Sequence, residues 1–175
     1  MSLSFYDATV KPLIATIKNL QRVMKVGQRH ITEQSLDEQA LLNAQLFHAM
    51  FDLRTQIFAV QMLAGHQGAL RIAGISPTAT GAIESFADVD ATLVTLLDDL
   101  KRIDAEAYEH RMNEPVQCDL PIGSAHFNTA LEHMQQWVMP HTFFHVTTAY
   151  KILRHKGVPL GKSDFLGMVN MRLEK

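Results

Sequence analysis

His141 and His145 stand four residues apart within a stretch, Thr129 to Gly157, that has the pattern of one long helix. At about 3.6 residues per turn, such a pair lies about 40° apart around the axis and one turn apart along it, so both imidazoles can address one metal ion. They belong to a stripe of Met134, Val138, His141, His145, Thr148 and Ile152, whose alternating steps of four and three mark one inward face. Earlier in the chain His48, with Asp52 one turn further on, shares a helical face with Leu41, Ala44, Phe51, Thr55 and Met62. A histidine and an acid there occupy places where leucine would be the cheaper choice.

Other candidates for chemistry are weaker. Cys118, the sole cysteine, has no base near it in sequence, and no nucleophile elbow or glycine-rich phosphate loop occurs. His30, His66, His110, His126, His133 and His155 fall on expected ends, loops or outer faces, where solvated or capping roles are usual. Trp137, Phe143 and Phe144 suit either a ligand pocket or an aromatic core.

The elements that must position these residues begin with Ser4-x-x-Asp7, an acidic variant of the capping box. It opens a first helix with the stripe Val10, Leu13, Ile17, Leu20 and Met24, bent or restarted at Pro12 and ended by Gly27. Ser35-x-x-Glu38 should cap a second helix running to about Gly74, with Gly65 and Gly68 allowing a neighbour to come close. After a turn-rich connection, Ser85-x-x-Asp88 caps a third helix whose stripe is Phe86, Val89, Leu93, Leu96, Leu100 and Ile103. Asp90, Asp98, Asp99, Lys101 and Arg102 form its wet side.

Between Glu114 and Asn128 the period changes to alternation at Val116, Cys118 and Leu120, which predicts a small hairpin turning over Pro121 to Ser124. Thr129-x-x-Glu132 then caps the fourth helix, and the tail VPLGKSDFLG should lie pinned on the surface. Four long amphipathic segments with short connections predict an all-α four-helix bundle, one domain over residues 1–175. Helix four has a second apolar line, Met139, Phe143, Val146, Tyr150 and Leu153, so either a homodimer or the chain's own tail and hairpin must cover it.

A formal charge of -2 with no long basic run removes the electrostatic reason to expect nucleic acid or an anionic membrane as partner. No apolar run is long enough to cross a bilayer and the start lacks a signal-peptide pattern, so the expectation is a cytoplasmic protein. A single cysteine suits a reducing compartment.

The stretch HVTTAYKILRHKGVPLGKSDFLG, His145 to Gly167, together with MSLSFYDATV at the start, resembles an uncharacterised bacterial family within the DinB/YfiT-like putative metalloenzyme superfamily. That resemblance implies an up-down-down-up four-helix bundle, frequent dimers, and in many members a divalent nickel or zinc ion. The ion is held by one histidine of helix two and an H-x-x-x-H pair of helix four, here matched by His48 and by His141 with His145. Some metal-bearing relatives act as hydrolases or as transferases using low-molecular-weight thiols. Three neutral imidazoles on inward faces would leave an open coordination position, as catalytic zinc sites do, with Asp52 orienting His48 or completing the shell. The competing reading keeps the same histidines in a metal-free bundle. There they would bond one another, Thr148, or the carbonyl of Gln136 that Pro140 leaves without a donor. Such a bundle would bind a small apolar ligand or serve as a dimeric module.

Overall fold

The first helix shows how far local signals reach. In the computed structural model, which describes residues 3–120 and 123–167, the Ser4 side chain accepts from the Asp7 N–H at 3.0 Å. Helix α1 then runs over Phe5–Gln34, burying Val10, Leu13, Ile17, Leu20 and Met24 without interruption at Pro12. Gly27 does not end it. A Cβ there would meet Leu153 Cδ2 at 3.2 Å, so the missing side chain serves close packing instead of termination. The helix stops eight residues later at Ser35, whose left-handed backbone (φ 52°, ψ 43°) turns its N–H onto the carbonyls of Ile31 and Thr32. Ser35 therefore closes α1 where its motif predicts the opening of the next helix, and the cap of α2 (Glu38–Leu42) is Asp37, accepting from the Gln39 N–H.

The expected second helix is also broken. Residues 43–52 leave the helical path, and α3 (Leu53–Val60) starts afresh from Asp52, whose carboxylate takes the Thr55 N–H at 2.9 Å. Asp52 is thus an N-cap, and that cap is satisfied only if the residues before it are non-helical. The Leu53 N–H returns to the Ala44 carbonyl and the Gln45 amide to the Met50 carbonyl, which closes the loop on itself. The detour buries Leu41, Leu42, Ala44 and Leu53 while Phe47, His48 and Phe51 face solvent.

From α3 the chain passes through a π-helical turn, Gln61–Ala69, into α4 (Leu70–Ala73), which ends at Gly74 in the left-handed region. Helix α5 (Phe86–Lys101), capped by Ser85, buries its stripe as expected. Its one departure is Asp99, which is buried instead of wet. Burial opposes its charge, but the N–H and hydroxyl of Thr78 and the Arg102 guanidinium hold its pKa below the ordinary carboxylate value.

After α6 (Ala105–Glu109), strands β1 (Val116–Leu120) and β2 (Gly123–Phe127) pair antiparallel with Cys118 opposite Ala125. Of the expected turn, Pro121 and Ile122 lie outside the described residues. Thr129 caps α7 (Ala130–His133), which continues through a second π-helical turn, Met134–Val138, into α8 (Met139–His155). A short α9 (Lys162–Leu166) completes the described helices.

In section the bundle is a ring: α1 packs on α5 and α8, α3 packs on α8, and the first π turn packs on α5. The rods α1 and α3, separated in sequence by the short α2, lie diagonally across the ring. The second apolar line of α8 is largely used within the chain, because Val146 and Leu153 enter the core and Tyr150 packs edge-on against Phe165 of α9. The tail does more than lie on the surface, since Val158 and Leu160 are buried too.

Candidate functional site

The face between α3 and α8 carries a histidine whose chemistry is set by its neighbours. Gln56 is 1% exposed, on the α3 stripe with Leu53, Ile57 and Val60. Its amide nitrogen donates to the Phe51 carbonyl at 3.0 Å, which orients its amide oxygen toward His145 Nδ1, 2.7 Å away. An amide oxygen only accepts, so Nδ1 carries the hydrogen and Nε2 of the neutral ring keeps its lone pair. Burial lowers the pKa of His145, and nearby His141 acts in the same direction, which keeps the ring neutral at pH 7.

Aromatic rings flank this imidazole. Phe51 lies nearly parallel with centroids 6.3 Å apart, and Phe144 meets it edge-on at 5.3 Å. His141, one turn earlier, packs edge-on against Trp137 at 4.2 Å. Both histidines are half-buried on an open face.

His48 is not brought to them. It sits in the 43–52 loop, exposed and packed against the Phe47 ring at 4.3 Å. Among the described residues no three His, Cys, Asp or Glu side chains come together in a way that would hold a metal ion. Asp52 neither orients His48 nor completes a shell, because one of its oxygens caps α3 and the other lies 4.0 Å from Arg54 Nε. The partners expected for a metal-free arrangement differ as well. His145 bonds Gln56 and not a second histidine or Thr148, whose hydroxyl donates to the Phe144 carbonyl.

A second pair escapes any reading by sequence proximity. Cys118 Sγ lies 3.2 Å from His133 Nε2, with both side chains at 1% exposure or less. Burial raises the thiol pKa, and burial aided by the Arg71 charge lowers that of His133 to about 4. The pair is therefore neutral, one hydrogen being shared between Sγ and Nε2 with the Gln67 carbonyl 4.0 Å from the sulfur, and is not the thiolate–imidazolium couple of a cysteine nucleophile. His133 is not the solvated or capping residue expected. It is fully buried against Phe127, and its Nδ1 has no partner.

A ring of helical rods with a histidine-bearing face on the last long helix makes this chain an α-helical bundle. The chain aligns with the crystal structure of a DinB family member protein from Shewanella denitrificans at a TM-score of 0.83 and 26% identity, covering 97% of this chain and 95% of that one. It belongs to the family described as domain of unknown function DUF1993, whose model matches residues 5–166. None of the curated proteins matches it. Among the described residues no helix is long and apolar enough to cross a membrane.

Proposed function

We propose that this DinB-like chain binds a small, largely apolar molecule bearing an O–H, S–H or acidic N–H group, and that His145 Nε2 accepts the hydrogen bond or proton from it. The relay from the Phe51 carbonyl through Gln56 to His145 carries the reading, because a buried carboxamide oriented by one hydrogen bond holds one tautomer of the ring with the other. A neutral imidazole with a pre-set lone pair between aromatic walls suits a general base. That fits a hydrolase- or thiol-transferase-type reaction in which a water or thiol gives up its proton.

The i,i+4 relation of His141 and His145 supports a second reading, a nickel or zinc ion held by these two rings with ligand and water in the remaining positions. His48 joins such an ion only after the 43–52 loop rearranges.

We also assign the aromatic face to a second copy of the chain. Phe47, Phe51, Phe143 and Phe144 are exposed by 62%, 56%, 38% and 55%, and Phe51 and Phe144 flank His145, so a partner seated on them would shield the ring from water.

Nitrogen-15 spectra of the imidazoles test the relay: His145 should appear as the Nδ1–H tautomer, and Gln56→Leu should lose that preference. A thermal-shift screen of small phenols and thiols should give hits that His145→Ala abolishes. Hits bound equally by that variant would sink the first reading. Elemental analysis showing stoichiometric nickel or zinc, lost in both His141→Ala and His145→Ala, would favour the second.

A further inference from the structure

At the other end of the histidine-bearing rod, where α4, the segment after α6 and the base of the hairpin meet, lies an open cavity of about 200 Å³. Arg71, Gly74, Arg111, Glu114, Val116 and Gln117 are among the residues that line it. Two arginines and one glutamate line it, so the lining carries a surplus positive charge, with Asp119 of β1 near enough to feel that of Arg71. Among the described residues no carboxylate pairs with Arg71. Arg111 bonds Glu114 at 2.8 Å, but that pair is half-exposed and an incoming anion can compete for it.

We propose that this cavity is a binding site for a small oxyanion, a phosphate or a short carboxylate, with Arg71 as the principal contact and Arg111 as the second. The site is separate from the His145 face and does not rest on the function proposed for it.

Three observations support the assignment. The volume equals about six to seven waters at about 30 Å³ each, enough for one such anion with part of its hydration shell. A guanidinium presents its N–H groups in a planar fork that matches two oxygens of a carboxylate or phosphate. And Arg71 lies beside the hairpin, since it shares the cavity lining with Val116 and Gln117 and its charge is felt at Cys118, Asp119 and His133. The ordinary role of a basic residue in the last turn of a helix, answering the helix dipole, is open to Arg71 as well. That role does not call for a second arginine across a cavity.

The buried Cys118–His133 pair lies behind this cavity, because Val116 and Gln117 precede Cys118 on β1 and Ala130, another lining residue, precedes His133 by less than one helical turn. An anion on Arg71 would offset the field that disfavours a proton on His133. Occupancy should therefore raise the pKa of that ring, an effect that mere surface screening by salt would not produce selectively.

The test is titration of the intact chain with sodium phosphate and with sodium acetate, ionic strength held constant with chloride, following the backbone amides of Gly74, Val116 and Gln117. Saturable shifts at these amides are expected, with His133 titrating at higher pH in the occupied form. Arg71→Met should weaken binding by about tenfold or more, while its circular dichroism and its His145 imidazole signals stay unchanged. Arg71→Lys should retain part of the affinity. Saturation by phosphate alone identifies a tetrahedral oxyanion, by acetate alone a carboxylate, and by both a site for either; each supports the assignment. Shifts that chloride reproduces, or full binding by Arg71→Met, would overturn it.

Discussion

Acid should unfold this protein partly through His133, and the size of that effect can be worked out. The ring is fully buried, and its pKa falls from about 6.5 when unfolded to about 4 when folded. Between those values the unfolded chain holds a proton that the folded chain refuses, so lowering the pH favours unfolding. The stabilisation is complete above about 6.5 and is lost as pH falls toward 4. At 1.36 kcal/mol per pKa unit the whole contribution is about 3 kcal/mol, of which about 2 kcal/mol is gone by about pH 5. Burial also lowers the pKa of His66 and His145, and they add acid sensitivity of the same sign. Comparison with His133→Phe separates them, because phenylalanine can stay packed against Phe127 and has nothing to protonate. That variant will differ at neutral pH, since the Cys118 thiol loses its partner, so the informative quantity is the change with pH. Urea unfolding at about pH 8 and about pH 5 should show the unmodified chain losing about 2 kcal/mol more than the variant. Equal losses in the two chains would refute the argument, and with it the close Cys118–His133 packing on which it depends.

Ser35→Gly should stabilise the chain by about 0.5 to 1 kcal/mol, since Ser35 holds a left-handed backbone that glycine adopts freely, whereas Thr129→Ala should cost about 1 kcal/mol by removing a true N-cap; thermal melts will show opposite signs. Gly68→Ala should cost about 3 kcal/mol or prevent folding, because a Cβ there would lie 2.5 Å from the Leu63 carbonyl oxygen and 2.7 Å from Val138 Cγ1. Gly81→Ala, which meets nothing within 4 Å, is the control and should be close to neutral. Phe144→Glu should convert a dimer to a monomer in sedimentation, since an unpaired charge is costly to bury; a monomeric unmodified chain at micromolar concentration would remove the proposed interface.

The parts of the fold legible in the sequence are those where a capping side chain and an apolar period agree. Ser4 and Ser85 each sit before a stripe that is buried as its spacing requires, Thr129 before one buried except at the half-buried His141 and His145, and the hairpin arises from strict alternation at Val116, Cys118 and Leu120. Ser35 offers the same motif but lies between two signals, and the longer helix behind it won. Its backbone could turn left-handed to close α1, while Asp37, two residues on, could cap α2. The break at 43–52 is hidden for a related reason. Leu41, Ala44, His48, Phe51 and Thr55 keep helical spacing, and only the cap made by Asp52, which is local and competitive, shows that the period is interrupted.

That break decides what became of the candidate site. A helix continuous through His48 would have put its ring on an inward face, and the detour turns it to solvent while delivering the Phe51 carbonyl to Gln56 instead. Gln56 did leave a trace in the sequence, as an amide on a stripe otherwise made of Leu53, Ile57 and Val60. Periodicity alone marks such a residue as an irregularity, because its value lies in a partner 89 positions away on another helix. Cys118 and His133 pose the same problem at shorter range, since a hairpin must fold back before the two can meet. What a sequence shows is which side chains would be costly to bury unpaired, and what the fold adds is the partner that removes the cost. In this chain the partner of His145 is an amide, and an amide that holds one nitrogen's hydrogen leaves the other nitrogen's lone pair as the group on which chemistry at this face must depend.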